Sequence, residues 1–232
     1  LLKMILDCTK GTRIRLSSIE PNEIELELIE LAASTERIAS HFHIPLQSGD
    51  DQILEEMNRR YSTSQYRDKI EMISDNIEDV CIGTDIIVGF PGEKKLNFEK
   101  SFEFLECLSQ INYYHVFSYS DRPGTRASDM RGKVNPAEKK RRSRILIESG
   151  KRKRIEFLKS QVGNRRLAVI LEKSGNYTGL FRAITGNYCN VTVKSKTCLT
   201  GKLVPVMVEN FKDGRLSGKV CGNPYFEAAD HE

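Results

Sequence analysis

Val80–Glu93 reads VCIGTDIIVGFPGE. Its first nine residues form a near-continuous apolar run. That length suits a strand buried on both faces of a parallel sheet and is too short for a core helix. GFPGE follows as a turn, and a helical pattern then runs over roughly Leu96–Ser109. Strand, turn and helix in that order predict one βα unit. Working outward, YYHVF (Tyr113–Phe117) is a further strand downstream. Upstream, ASHFHI (Ala39–Ile44) is a strand closed by Pro45. LQSGD, a short helix DQILEEMN and a longer helix from Ser64 to about Asn76 come after it. Before these lie a strand-like RIRLS (Arg13–Ser17), Pro21, and a helical stretch EIELELIELAAS capped by Asn22. Four strands alternating with helices predict an α/β fold on a parallel sheet.

Residues 118–135 read as loop, and Pro136 opens a long helix ending near Gln161. Beyond Gly163 the texture changes to five short β-rich runs: Leu167–Glu172, Tyr177–Thr185, Asn190–Lys194, Leu203–Asn210 and Arg215–Val220. Turn residues separate them, which predicts a small antiparallel barrel. The expected organisation is a sheet domain over 1–135, a linker helix over 136–161, a barrel over 162–222 and a tail over 223–232.

The chain has 232 residues and a net charge of +4. The charge is unevenly spread. Lys139–Arg166 holds twelve lysines and arginines against two acids, a net of +10, so the rest of the chain carries −6. A basic stripe beside an acidic body points to a polyanion such as nucleic acid. A solvated helix face explains the same run equally well. No segment approaches the roughly 18 apolar residues of a membrane helix. The first twenty residues lack a signal-peptide core, and the chain does not begin with Met, so it reads as cytoplasmic and as starting inside a longer protein. The six cysteines (8, 81, 107, 189, 198 and 221) contain no C-x-x-C or C-x-x-x-C, and they read as reduced thiols rather than a local metal motif.

In parallel sheets and barrels, ligands bind at the carboxyl ends of the strands. Those ends read SSIEP, PLQSGDD, GFPGE and SYSDRPGT. Ser17, Gln47, Ser48 and Ser120 offer groups for ribose hydroxyls. Phe90, Phe117 and Tyr119 suit the flanks of a purine, and Gly89 and Gly92 permit close backbone approach. His41 and His43 alternate on one strand, so they are either half of a metal site or packed imidazoles. Asp85, inside a buried strand, is either paired or functional.

The ordered set RIRLSSIEP, HFHIPLQSGDDQILEEMNRRY, TDIIVGFPGE and HVFSYSDRPGTRA closely resembles the methylthiotransferase branch of the radical S-adenosylmethionine enzymes. The β-rich end, with FRAITGNYCNV, is similar to the RNA-binding TRAM barrel that closes those proteins. The resemblance implies a partial (β/α) radical SAM barrel, represented here by four of six βα units, followed by an OB-like barrel. It implies S-adenosylmethionine and two [4Fe–4S] clusters, a 5′-deoxyadenosyl radical that abstracts hydrogen, and transfer of sulfur that is then methylated. It also implies cofactor contacts for Arg15, Ser17, Gln47, Ser48, Ile87, Gly89, Phe117 and Tyr119. No catalytic residue and no metal ligand is assigned within the chain.

The SSIEP strand end is similar to that of the enzymes acting on N6-threonylcarbamoyladenosine beside the tRNA anticodon, at C2 of the adenine. Isopentenyladenosine and ribosomal-protein enzymes of the same branch are the alternatives. The partner implied is the tRNA anticodon stem-loop, with phosphates held by Lys139, Lys140, Arg141, Arg142, Arg144, Lys151, Arg152, Lys153 and Arg154. Tyr177, Phe181 and Tyr188 are candidates for base stacking, with at least one of the three expected in the barrel core. The family's CxxxCxxC loop is not in the chain, so the expectation is a carboxy-terminal fragment, inactive alone, with an unpaired sheet edge at Arg13–Ser17. A non-catalytic RNA-binding module and a metallohydrolase built on His41 and His43 are the rivals from other classes.

Overall fold

A computed structural model describes residues 1–9, 11–173 and 179–224. Two compact units emerge. The sheet unit comprises Ser17–Glu30 and Phe42–Arg154. The barrel unit comprises Leu1–Leu16, Leu31–His41 and the chain from Ile155 onward. Among the described residues no helix is long and apolar enough to cross a membrane.

The sheet has three strands in the order β1 (His41–His43), β2 (Cys81–Val88) and β3 (Ile111–Ser118). β2 and β3 are parallel, with Asp85 opposite His115 and Ile87 opposite Phe117. Strand alternation gives the sheet two unlike faces. Ile82, Thr84, Ile86 and Val88 are buried on one. Asp85 and Ile87 on the other are only half-buried, and His115 and Phe117 are exposed. The apolar run in β2 is therefore covered on both faces over its first half, with Cys81 and Gly83 buried, but on only one face toward its carboxyl end, where Asp85 and Ile87 border the open side. Gly83 is required at its position: a Cβ there would fall 2.1 Å from the Tyr113 ring.

Helices supply the buried side. α3 (Asp51–Glu56) starts at Asp50, whose carboxylate accepts from the Ile53 N–H at 3.1 Å. α4 (Thr63–Asn76) begins with a capping box between Ser62 and Gln65. It buries Tyr66, Ile70 and Ile73 at helical spacing. α5 (Lys95–Cys107) buries Phe98, Ser101 and Leu105.

Arg13–Ser17 is not a strand. Ile14 makes only an isolated bridge with Ile38, and Ser18 turns to a φ of 56°, which ends any extended run. The sheet thus has three of the four expected strands. Asn22 does not cap a helix either. Its amide donates to Arg60 O at 3.2 Å, a 3-10 turn occupies Pro21–Glu23, and α2 (Leu26–Ala33) starts later than expected. Two short helices, α1 (Leu2–Cys8) and α6 (Arg126–Asp129), have no counterpart in the sequence reading. α7 (Pro136–Ser160) matches its predicted span closely.

The five carboxy-terminal strands close a barrel in the order β4 (Arg165–Lys173), β5 (Leu180–Thr185), β6 (Asn190–Lys194), β8 (Arg215–Val220) and β7 (Leu203–Lys212). All pairs are antiparallel except β6 with β8, which is parallel. Small apolar residues fill the interior, among them Ala168, Ile170, Ala183, Val191, Val193, Val204, Val206 and Val208. Gln161 just beyond α7 is buried, and its side-chain Oε1 accepts from Asn187 at 2.8 Å and Arg166 at 3.1 Å.

Residues 44–47 are tied down carbonyl by carbonyl. The Tyr66 hydroxyl donates to Ile44 O at 2.8 Å. The Tyr61 hydroxyl is shared between Pro45 O at 3.1 Å and Leu46 O at 3.2 Å. Burial pushes the Tyr61 phenol up to about 12, and moves Tyr66 upward as well. An unfolded tyrosine ionises near 10. Between that value and the folded one, the unfolded chain loses protons first, so stability falls as pH rises. Urea midpoints should therefore hold up to about pH 9 and decline above about pH 10. Tyr61→Phe should flatten part of that decline. Tyr66→Phe should cost about 1–3 kcal/mol at neutral pH, because Ile44 O is left buried and unpaired.

Candidate functional site

A cavity of about 810 Å³ opens at the carboxyl ends of the sheet, within the size range of small-molecule sites. Gln47, Asp85, Ile87, Phe90, Phe117, Tyr119 and Ser120 line it. So do Glu56–Arg59 after α3, and Arg122, Thr125, Arg126 and Ala127 around α6.

Gln47 sits there with a φ of 69°, a left-handed conformation costly for a residue with a Cβ. Backbone bonds hold it in place: its N–H donates to Asp85 O at 2.8 Å and its carbonyl accepts from Ile87 N at 2.9 Å. Leu46 N donates to Thr84 Oγ1 at 2.9 Å on the buried face. Phe117 is 52% exposed within the cavity. Phe90 and Tyr119 meet edge-to-face at 5.3 Å between ring centroids.

The GFPGE turn is locked from below. Gly89 has a φ of 73°, and its N–H donates to the Glu93 carboxylate. A Cβ on Gly89 would meet the Lys139 stem at 2.4 Å. Glu93 is 6% exposed, and burial raises its carboxyl above the usual range against the pull of Arg142. Arg142 sits 3.3 Å from Glu93 Oε1 and donates to Glu93 O at 3.1 Å. Its Nε also donates to Glu138 at 2.9 Å.

Four of the eight expected cofactor contacts meet in this cavity: Gln47, Ile87, Phe117 and Tyr119. The other four do not line it. Ser48 is buried, with its hydroxyl 3.1 Å from that of Ser101, and it shapes the loop. Gly89 serves the turn. Ser17 is exposed elsewhere in the sheet unit. Arg15, in the barrel unit, lies over the Tyr188 ring at 4.6 Å. Sequence reasoning missed Glu56–Arg59 and the α6 segment. The left-handed Asn58 just after a short helix is the signal that marked the first.

The basic helix divides in the same way. Arg142 is 4% exposed, so it anchors the turn and is not a phosphate contact. Lys139 is half-buried, its ammonium donating to Tyr119 O at 3.0 Å. Lys153 donates to Leu108 O at 2.9 Å, and Arg154 lies against Cys81 and the Tyr113 ring. Arg141 pairs with Glu138 and Arg152 with Glu106. Lys140, Arg144 and Lys151 are exposed and make no ion pair among the described residues. In the barrel unit Phe181 is 3% exposed and belongs to the core, so it is not a stacking surface. Tyr188 is half-buried against His41, with ring centroids 4.5 Å apart. Tyr177 lies outside the described residues.

Residues 1–105 match the family model described as Radical SAM superfamily. Over that stretch the chain is similar to the radical SAM superfamily. It is 40% identical over 195 residues to the threonylcarbamoyladenosine tRNA methylthiotransferase MtaB of Aquifex aeolicus, a match spanning 84% of this chain and 45% of that protein. It is 34% identical over 199 residues to the Bacillus subtilis protein of the same name, spanning 84% and 44%. It is 33% identical over 208 residues to the tRNA-2-methylthio-N(6)-dimethylallyladenosine synthase of Endomicrobium trichonymphae, spanning 90% and 49%. The chain thus spans about half the length of the curated relatives it matches. Among solved structures, the Escherichia coli coproporphyrinogen III oxidase HemN aligns at a TM-score of 0.44 and 13% identity over 85% of this chain and 46% of that one. That likeness is too slight to bear on function.

The superfamily implies S-adenosylmethionine and an iron–sulfur cluster. The cavity suits the first, with aromatic rings and Gln47, its backbone held, at a rim of suitable volume. The cysteines do not suit the second. Among the described residues no group of three potential ligands includes a cysteine, and Cys81 and Cys189 are buried while Cys8, Cys107, Cys198 and Cys221 are exposed.

Arg142→Ala should destabilise the protein by about 3–5 kcal/mol in urea unfolding, because it strands a buried carboxylate. Adding Glu93→Gln should recover part of that loss. The penalty should also shrink toward acid pH, where a protonated Glu93 no longer needs the cation.

Proposed function

We propose that this chain supplies the cofactor cavity and part of the RNA-holding surface of a tRNA methylthiotransferase acting on N6-threonylcarbamoyladenosine beside the anticodon, at C2 of the adenine. The observation that carries the reading is the meeting of Gln47, Ile87, Phe117 and Tyr119 in one cavity at the strand ends. The 40% identity to a relative bearing that activity in its name supports the substrate. The SSIEP segment supports it as well.

S-adenosylmethionine, when bound, supplies the radical chemistry. The protein's own part is to bind and orient. Phe117 offers an exposed ring face on one strand end. Gln47 carries its side-chain amide on a backbone fixed by two hydrogen bonds, so little backbone ordering entropy is lost on binding. Arg122 brings a cation to the rim with no ion pair among the described residues. The cluster ligands are to come from outside the six cysteines, so the chain alone is proposed to be inactive.

Lys140, Arg144 and Lys151 fall within about 40° of one another around the helix and span about 16 Å along it. That is a stripe for a phosphate backbone. The closed five-stranded barrel is proposed as the second RNA-binding element, of TRAM type. A second reading, an isopentenyladenosine substrate, is favoured by the 33% identity to the dimethylallyladenosine enzyme.

Mass spectrometry of tRNA nucleosides from cells with the gene disrupted separates the two. Loss of the methylthio group from threonylcarbamoyladenosine alone supports the proposal. Loss from the isopentenyl nucleoside alone overturns the substrate. S-adenosylmethionine titrated into the purified chain should give a saturable signal that Phe117→Ala weakens by about tenfold. Replacing Lys140, Arg144 and Lys151 together by Ala should weaken tRNA binding and flatten its log–log salt slope by about 2–3.

A further inference from the structure

The open face of the sheet carries a second cluster, beside the cavity. His43 on β1, Asp85 on β2 and His115 on β3 present one ligand atom each, all within 4.8 Å of one another. Asp85 and His115 are register partners, so adjacent strands hold them side by side. His43 Nε2 lies 3.1 Å from Asp85 Oδ1. Despite that distance neither atom has a partner in hydrogen-bond geometry, and both are buried. His43 is only 9% exposed. Among the described residues no lysine or arginine pairs with Asp85.

Two buried polar atoms set side by side without a hydrogen bond are costly unless a third group satisfies both. A proton shared between them requires a geometry they do not have. A cation requires only that both point at it.

We propose that His43, Asp85 and His115 form a binding site for a divalent transition metal of the zinc type. The donor set is two imidazoles and one carboxylate, which suits zinc and its first-row neighbours and not magnesium or calcium. Bonds of about 2.0–2.1 Å set donor–donor separations of about 3.3–3.5 Å in a tetrahedral site. The His43–Asp85 pair, at 3.1 Å, is slightly closer than that spacing and needs to open by only a few tenths of an ångström. His115 must close from at most 4.8 Å, and it is the exposed member, free to turn. Its ring now rests 5.7 Å from His43 and edge-on to Tyr113 at 5.4 Å, between centroids. Three protein ligands leave a coordination position for an incoming oxygen or nitrogen donor. Asp85 also lines the large cavity, so that donor would approach from the cavity side. This site does not depend on the cavity's cofactor.

The test is zinc titration of the purified full chain by calorimetry, after its exposed cysteines are alkylated so that thiols cannot compete. One equivalent should bind, and cobalt(II) in its place should give the intense visible bands of a tetrahedral site. His115→Ala, an exposed change that leaves the sheet core untouched, should weaken zinc at least tenfold, and Asp85→Asn should do the same. Binding should also fall in acid, where imidazoles must give up protons to ligate. No stoichiometric binding, or equal binding by wild type and His115→Ala, would overturn the proposal. Should Asp85→Asn fail to fold, the His115→Ala titration and the cobalt spectrum still decide it.

Discussion

Gln47 holds a conformation that a residue with a side chain avoids, and it holds it because the three carbonyls before it are already taken. Tyr66 claims Ile44 O, and Tyr61 spans Pro45 O and Leu46 O. With Thr84 holding Leu46 N, the chain has no slack, and Gln47 must turn with its backbone clamped between Asp85 and Ile87. Strain of this kind persists only where the surroundings over-determine it. Here those surroundings are two phenols buried deeply enough to resist ionisation. The cavity rim inherits its shape from this short tether.

A second constraint lies one strand over. The GFPGE turn carries two glycines of positive φ, and Glu93 and Arg142 close beneath it. Arg142 comes from the helix whose exposed lysines and arginines are read as an RNA surface. On this proposal one helix has two jobs, set by its phase. Arg142, Leu146, Ser149 and Phe157 face inward, while Lys140, Arg144 and Lys151 face out. A helix docked by a buried ion pair is a firm platform for the exposed charges on its other side.

The open face of the sheet is where the two sites adjoin. Alternation along β2 and β3 puts Asp85, Ile87, His115 and Phe117 there. Ile87 and Phe117 serve the cavity, Asp85 borders both, and His115 reaches toward His43. The two histidines of the H-x-H run have different neighbours, Tyr188 beside His41 and Asp85 beside His43. A sequence pattern suggests that neighbours on one strand act together, and cross-strand register gives each of them other partners.

The sequence alone determined the strand–helix alternation, the long basic helix and the five-stranded end, because periodicity and turn residues are local properties. It also placed polar and aromatic residues at the strand ends, and Gln47, Phe90, Phe117, Tyr119 and Ser120 among them meet in the cavity. It did not determine that Arg13–Ser17 stays out of the sheet, since a ladder needs a neighbour and Ser18 turns away. Nor did it separate Arg142 from Arg141, or Phe181 from Tyr188, although Leu146 and Phe157 hint at the inward stripe that includes Arg142. Burial, ion pairing and register are relations between distant residues. Only the tertiary structure decides which of two like side chains meets solvent, and which three side chains on separate strands come close together.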